Sequence, residues 1–76
     1  MFWVKEIYMK TIWLYDIFLD GLCVGNQGDE LFSTKEDATS DASEYISEQL
    51  SFEYERDADA FEIRAYEGRI YTKEQV

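Results

Sequence analysis

Histidine and proline are absent from this sequence of 76 residues, and there is only one cysteine. The chain therefore lacks the usual nucleophile–base pairs and the soft metal ligands, which excludes a hydrolytic triad and a zinc site. Cys23 has no second thiol to pair with, so we expect a small core residue in a protein of a reducing cytoplasm.

Long apolar runs are missing as well. Ile17-Phe18-Leu19 is typical of the short runs present, whereas a membrane span needs about 20 predominantly apolar residues. Residues 1–9 have neither the apolar region nor the small-residue cleavage site of a signal peptide. These absences predict a protein that neither enters a membrane nor is exported by that route.

Positive charge is scarce, since seven basic residues stand against 17 acidic ones and the net charge is −10. The excess is confined to residues 29–62, which hold twelve acids against Lys35 and Arg56, while the rest of the chain is close to neutral. Direct binding of anionic nucleic acid is therefore disfavoured. We expect the partner to be a basic protein surface.

Apolar and aromatic residues are abundant, at 46% and 17% of the chain, so folding is expected despite the charge. A chain this short builds one core, and residues 1–76 are predicted to be a single domain. Residues 1–8, which precede Met9, are either part of that fold or an N-terminal extension.

Two strands are predicted before a helix. Residues 11–19 (TIWLYDIFL) are rich in aromatic and β-branched residues, and Asp20-Gly21 directly after them is a hairpin signal. A second strand is expected at residues 22–24, followed by a glycine-containing loop at 25–29, and Leu31 and Phe32 are candidates for a further pairing.

A capping box formed by Ser33 and Glu36 predicts a helix from about residue 34 to about residue 50, extending at most to residue 55. Its apolar positions share one face: Ala38, Ala42, Tyr45, Ile46 and Leu50. Apolar residues then alternate at 61, 63 and 65, which indicates a strand, and Glu67-Gly68 suggests a hairpin into a fourth strand at 69–72.

The predicted fold class is α+β, a small antiparallel sheet (β-β-α-β-β) with one acidic helix packed on one face. The residues expected to be largely buried are Ala42, Ile46, Leu50, Ile63 and at least one of Trp13 and Tyr15.

Four acids of the predicted helix form a stripe within an arc of about 60°: Asp37, Asp41, Glu44 and Glu48. Like charges at this spacing destabilise a helix by about 0.2–0.5 kcal/mol per pair, and almost no basic residue relieves them. Three interpretations are open: an ordinary solvated face, a site for a positively charged macromolecule, and a site for a small cation. With the acids that follow the helix, the candidate partner-binding residues are Asp37, Asp41, Glu44, Glu48, Glu55, Asp57 and Asp59.

Other sites are disfavoured. The segment from Asp57 to Phe61 begins like a calcium loop but has Phe61 where a third oxygen ligand belongs. The loop at 25–28 lacks the Lys-Ser/Thr of a phosphate loop. Paired carboxylates catalyse only in a cleft that perturbs their pKa values, and one thin α/β layer offers little cavity volume. We therefore expect no catalytic residue, no cofactor, no metal and no enzymatic activity.

The aromatic residues exceed what one helix on one sheet covers: Trp3, Trp13, Tyr15, Tyr45, Phe52, Tyr54, Tyr66 and Tyr71. Since Tyr and Trp are enriched in binding hot spots, an aromatic patch beside carboxylates predicts a protein interface. Self-association as a homodimer through the uncovered sheet face is the competing interpretation.

Taken together, the segment WLYDIFLDG, the loop GNQGDE, the capped acidic helix and its acidic exit resemble the small accessory proteins of bacteriophages and mobile elements. In size, charge and architecture the chain is similar to anti-CRISPR proteins and other nucleic-acid mimics. That resemblance implies a non-enzymatic inhibitor that occupies the basic nucleic-acid channel of a host defence nuclease. The alternative is an antitoxin-like or regulatory interaction module in which acidity maintains solubility.

Overall fold

A tight hairpin organises the N-terminal half. In the computed structural model, which describes the backbone of residues 4–75 and the side chains of residues 10–70, strand β1 (Val4–Leu19) ends one residue before Asp20. Asp20 and Gly21 have φ values of 52° and 83°, the left-handed conformations that a two-residue turn requires, and strand β2 (Leu22–Asn26) follows. The hairpin predicted at Asp20-Gly21 is confirmed.

Over residues 4–75 the sheet has three antiparallel strands in the order β2-β1-β3, and one helix of 19 residues covers one face. The α+β class is confirmed. The helix, residues 35–53, is called the acidic helix below. The acidic helix consists of α1 (Lys35–Tyr45), a π-helical turn (Ile46–Leu50) and α2 (Ser51–Glu53). A 3₁₀ turn (Ala58–Ala60) and strand β3 (Phe61–Gln75) follow it.

The predicted fourth strand is wrong, because β3 continues straight through Glu67-Gly68. Gly68 lies opposite Ile12 in the ladder, and a Cβ there would stand 3.2 Å from Cδ1 of Leu14 and 3.4 Å from Cγ1 of Ile12. Glycine therefore lets two apolar side chains of β1 close over β3. The close packing of these two side chains on β3 explains why residue 68 is a glycine, which in the sequence resembled a turn signal.

β1 is longer than predicted, since it begins at Val4 and not at residue 11. Between Glu6 and Leu19 its pairing with β3 runs without a register shift. Lys5, Glu6 and Lys10 interrupt the apolar pattern of this segment, so the pattern alone did not predict it as a strand; its pairing with β3 extends β1 to Val4.

The helix start agrees with the prediction to within two residues, but the cap is Thr34 and not Ser33. Thr34 is extended, with φ −132° and ψ 157°, and its Oγ1 accepts a hydrogen bond of 3.1 Å from the backbone N–H of Asp37. The side chain thus satisfies a donor of the first turn, as an N-cap does.

The helix ends in a Schellman motif. Glu55 has a φ of 53°, and the N–H of Arg56 donates to the carbonyl oxygen of Ser51 at 3.1 Å. Glycine is the usual residue at this left-handed position because it has no Cβ to clash with the following carbonyl.

We therefore expect Glu55→Gly to raise the free energy of unfolding by about 0.5–1 kcal/mol. The substitution removes the strain of a side chain at a left-handed position, and the greater flexibility of glycine in the unfolded chain offsets part of that gain. Urea denaturation measures the change. The matched control, Glu53→Gly, removes the same charge at a helical position and should lower the free energy of unfolding by about 0.5–1 kcal/mol. Destabilisation by both substitutions would contradict the strain argument.

The core lies between the acidic helix and the central strand. The predicted burial of Ala42, Ile46, Leu50 and Tyr15 is confirmed. Among the side chains of residues 10–70, the buried cluster has eight members: Tyr15, Ile17, Leu19, Ala38, Ala42, Ile46, Leu50 and Phe61. Trp13 and Ile63 pack against this cluster but are only partly buried. The expectation for Ile63 was wrong because β3 is an edge strand, which leaves one flank of each residue without a neighbouring strand.

Cys23 is exposed, so the prediction of a core residue is wrong. In β2 the neighbouring Val24 packs against the core, whereas Cys23 is paired with Phe18, which lies between the core residues Ile17 and Leu19 and so faces the other side of the sheet. No helix within the described residues is long and apolar enough to cross a membrane.

Candidate partner-binding surface

A groove of about 250 Å³ lies between the acidic helix and the β1–β2 side of the sheet. We call it the acidic groove. Its lining residues are Tyr15, Asn26, Gln27, Asp41, Glu44, Tyr45, Glu48 and Gln49. Three of the four acids of the predicted stripe are therefore brought together on one concave surface.

Asp41 differs from the other acids of the stripe because it is anchored to the core. Tyr15 is 1% exposed, and its hydroxyl donates a hydrogen bond of 2.7 Å to Oδ2 of Asp41. Burial, followed by the hydrogen bond and the charge of Asp41, raises the pKa of Tyr15 above its usual range. Asp41 is half-buried as a result and does not project freely into solvent.

Tyr15→Phe is expected to lower the free energy of unfolding by about 1.5–3 kcal/mol, because it leaves the half-buried carboxylate of Asp41 without its donor. The matched control is Tyr66→Phe on an exposed ring, which should change stability by less than about 0.5 kcal/mol.

The difference between wild type and Tyr15→Phe should also depend on pH. The pKa of Tyr15 is higher in the folded state, so its contribution is complete below the unfolded-state pKa of about 10 and declines as the pH rises above it. Denaturation in urea at pH 7 and at about pH 11 measures both effects. A constant difference would contradict the burial of the Tyr15 hydroxyl and its hydrogen bond to Asp41.

Glu44 and Glu48 are exposed at the rim of the groove, one turn apart. Asp37 is also exposed but is not among the lining residues; it lies in the first helical turn, where its N–H bonds Thr34. Between Ile46 and Leu50 the helix takes a π-helical turn, with the N–H of Ser51 donating to the carbonyl of Ile46. A π turn inserts a residue into the helical repeat, which shifts the positions that follow relative to a straight α-helix.

The opposite wall of the groove was missed by sequence reasoning. Gln27 accepts a hydrogen bond of 2.9 Å at Oε1 from the backbone N–H of Tyr15, while Asn26 accepts one of 2.8 Å at Oδ1 from the N–H of Gly28. Tyr45 closes one end by packing on Gly25, where a Cβ would lie 3.0 Å from its ring. The Gly-Asn-Gln-Gly segment signalled only a loop, because side-chain bonds to a distant strand leave no local pattern.

The acids of the helix exit are exposed at Glu55, Asp57 and Asp59. Arg56 lies among them but turns to the hairpin, where its Nη1 is 2.9 Å from Oδ2 of Asp20. The hydrogen bond and charge of Arg56 lower the pKa of Asp20. The only basic residue of the exit is therefore engaged elsewhere, and the exit remains strongly negative.

The described residues contain two ion pairs, Arg56–Asp20 and Arg64–Glu62, and neither involves an acid of the acidic helix. The negative charge of that helix is therefore not neutralised within the described part of the chain. Nor do three acids or other ligating side chains there come close enough to hold a metal ion. The geometry offers no support for the small-cation interpretation.

Aromatic and apolar side chains are exposed beside the acids. Phe52 is 75% exposed and Tyr54 is 41% exposed, both at the end of the acidic helix. On the other face of the sheet, Tyr66 is exposed and Arg64 lies 4.2 Å above the ring of Phe18. The expectation that some aromatics are exposed is confirmed for these residues, while Trp3 and the side chain of Tyr71 lie outside the described part of the chain.

Comparison of the chain with protein-family models, curated proteins and solved structures gave no match.

Proposed function

We propose that this protein is a non-enzymatic binding protein whose acidic groove and helix exit occupy a basic surface of a nucleic-acid-binding protein. The observation that carries the proposal is the uncompensated negative charge of the acidic helix, in which three carboxylates line one groove and none forms an ion pair. Such a surface attracts a cationic partner and repels nucleic acid.

The groove suits lysine or arginine side chains. Glu44 and Glu48 lie at its rim and Asp41 is fixed in place by Tyr15, so a cationic group entering the groove meets several acceptors, one of them already positioned. Tyr45 adds an aromatic ring, which also attracts cations. A partly preorganised acceptor reduces the entropy lost on binding.

The spacing of the acids supports mimicry of a phosphate backbone. Along a helix, residues three or four apart rise by roughly 4.5–6 Å, which is comparable to the roughly 3.4 Å between charges on one DNA strand. A channel built to hold phosphates could thus hold Asp41, Glu44 and Glu48. In this proposal the protein acts in a bacterial cytoplasm as an inhibitor of a defence nuclease, similar in kind to anti-CRISPR proteins.

One observation favours a second candidate, an antitoxin-like or regulatory module with a dedicated protein partner. Phe52 and Tyr54 are exposed next to the acidic exit, and exposed aromatics are frequent anchors of protein interfaces. In that case binding would rest on apolar contacts, and the acids would chiefly maintain solubility.

Salt dependence separates the two candidates. The tagged protein is used to capture partners from a bacterial lysate at about 0.05 and about 0.5 M salt, since screening weakens exposed charge contacts strongly over that range. Mimicry predicts capture of a nucleic-acid enzyme that is lost at high salt and displaced by added nucleic acid. Capture that persists at high salt and is abolished by Phe52→Ser would favour the regulatory module.

A further inference from the structure

One edge of β1 has no partner strand over residues 4–12 of the described chain. β2 pairs only with residues 16–19 of β1, and the bridge between Trp13 and Phe32 is the last pairing on that side. Beyond the bridge, β1 and β3 continue as a two-stranded ribbon.

The ribbon makes the protein unusually long. The radius of gyration is 16.8 Å and the extents are 61 × 20 × 15 Å, whereas a compact chain of this length has a radius of gyration of about 11 Å. A ribbon of two strands is at best marginally stable alone in water, and a third strand with its side-chain contacts stabilises it. The elongated shape therefore leaves the ribbon with room for a further strand along its open edge.

The hydrogen-bonding direction of the open edge follows from the bridge. Trp13 donates from its N–H to the carbonyl of Phe32 at 2.7 Å and accepts from the N–H of Phe32 at 3.2 Å, so both of its polar groups point to that side. Because β1 has no register shift against β3 between Glu6 and Leu19, the backbone groups of Thr11, Met9 and Ile7 point the same way. Unpaired groups of this kind are a template for another strand.

We propose that this edge pairs with the same edge of a second copy, antiparallel about a twofold axis, joining two three-stranded sheets into one of six strands. Strand polarity allows the axis to pass at any one residue of the edge. With the axis at Tyr8, Glu6 of each copy lies opposite Lys10 of the other. Opposite charges across an antiparallel pair are favourable.

The alternative registers are worse. An axis at Glu6 or at Lys10 places like charges opposite each other, and an axis at Ile7 or Met9 leaves Glu6 and Lys10 opposite neutral residues. Residues 4–11 also carry two lysines against one glutamate, so the two copies meet at a segment free of the acid excess found in residues 29–62. Both arguments favour a second copy as the occupant of the edge.

Two proline substitutions at facing positions test the edge. Met9 and Tyr71 are paired across β1 and β3, and since Met9 points its N–H away from β3, Tyr71 points its own away from β1. Neither Met9→Pro nor Tyr71→Pro therefore removes a hydrogen bond of the ribbon. Sedimentation velocity should show wild type and Tyr71→Pro as dimers at about 100 μM, and Met9→Pro should raise the dissociation constant at least about 100-fold.

Charge reversal tests the register. Glu6→Lys and Lys10→Glu should each weaken dimerisation on the order of tenfold, and the doubly reversed variant should restore it, since it exchanges the two charges of each pair. If circular dichroism shows that Met9→Pro does not fold, the charge reversals still test whether this edge forms the dimer. A monomeric wild type at about 100 μM, loss of the dimer in Tyr71→Pro alone, or absence of rescue would each overturn the proposal.

Discussion

Ile46→Ala is expected to lower the free energy of unfolding by about 2–5 kcal/mol, because it empties a position at the centre of the contact between helix and sheet. Ile46 is 3% exposed and belongs to the same buried cluster as Tyr15, Ile17 and Leu50. Small domains have total stabilities of about 5–15 kcal/mol, so such a loss is a large fraction of the whole. Ile46 is also the first residue of the π-helical turn, whose other buried side chain is Leu50.

Urea denaturation followed by circular dichroism measures this effect, with Ser47→Ala as the control at the adjacent exposed position. The control should change stability by less than about 0.5 kcal/mol. Equal unfolding midpoints for wild type and Ile46→Ala would show that the helix face is wrongly assigned. A loss of stability in Ser47→Ala alone would show that the exposed face of the helix contributes more to stability than the buried face.

Local signals in the sequence predicted most of the fold. The turn at Asp20-Gly21 depends on two adjacent residues that tolerate positive φ, and the buried face of the acidic helix depends on a regular spacing of apolar residues. Features set by distant residues were predicted less well. Glu67-Gly68 resembled a turn because the two side chains of β1 that require Gly68 are more than 50 positions away in the chain.

In the candidate site, too, the features set by local sequence were predicted and those set by distant residues were not. Helical periodicity correctly predicted that Asp41, Glu44 and Glu48 lie near one another, since all three line the acidic groove. It did not reveal the role of Tyr15, whose hydroxyl bonds Asp41 across 26 positions of sequence. That these acids bind a partner stays a prediction. Asp41 also accepts the hydrogen bond from Tyr15, so a substitution of Asp41 would disturb the fold as well as the binding surface.

Reversing Glu44 and Glu48 together to lysine should weaken partner binding at least about 100-fold, or ~2.7 kcal/mol, because attraction becomes repulsion within the partner's basic groove. Both side chains are exposed and neither forms an ion pair in the described chain, so the fold should survive. Asp41 is left unchanged because its loss would also disturb Tyr15. The measurement is affinity for the captured partner, with circular dichroism as the check on folding.

The matched control reverses Asp29 and Glu67, two exposed acids outside the acidic helix, and changes the net charge by the same amount. Asp20 would be a poor choice because it is paired with Arg56. If the arrangement of charge matters, the control should lose only a small factor through weaker long-range steering, and that loss should disappear at high salt. Equal losses from the two pairs would mean that net charge alone drives binding. No loss from Glu44 and Glu48 would exclude the acidic groove, and the exposed Phe52 and Tyr54 would then be the residues to substitute next.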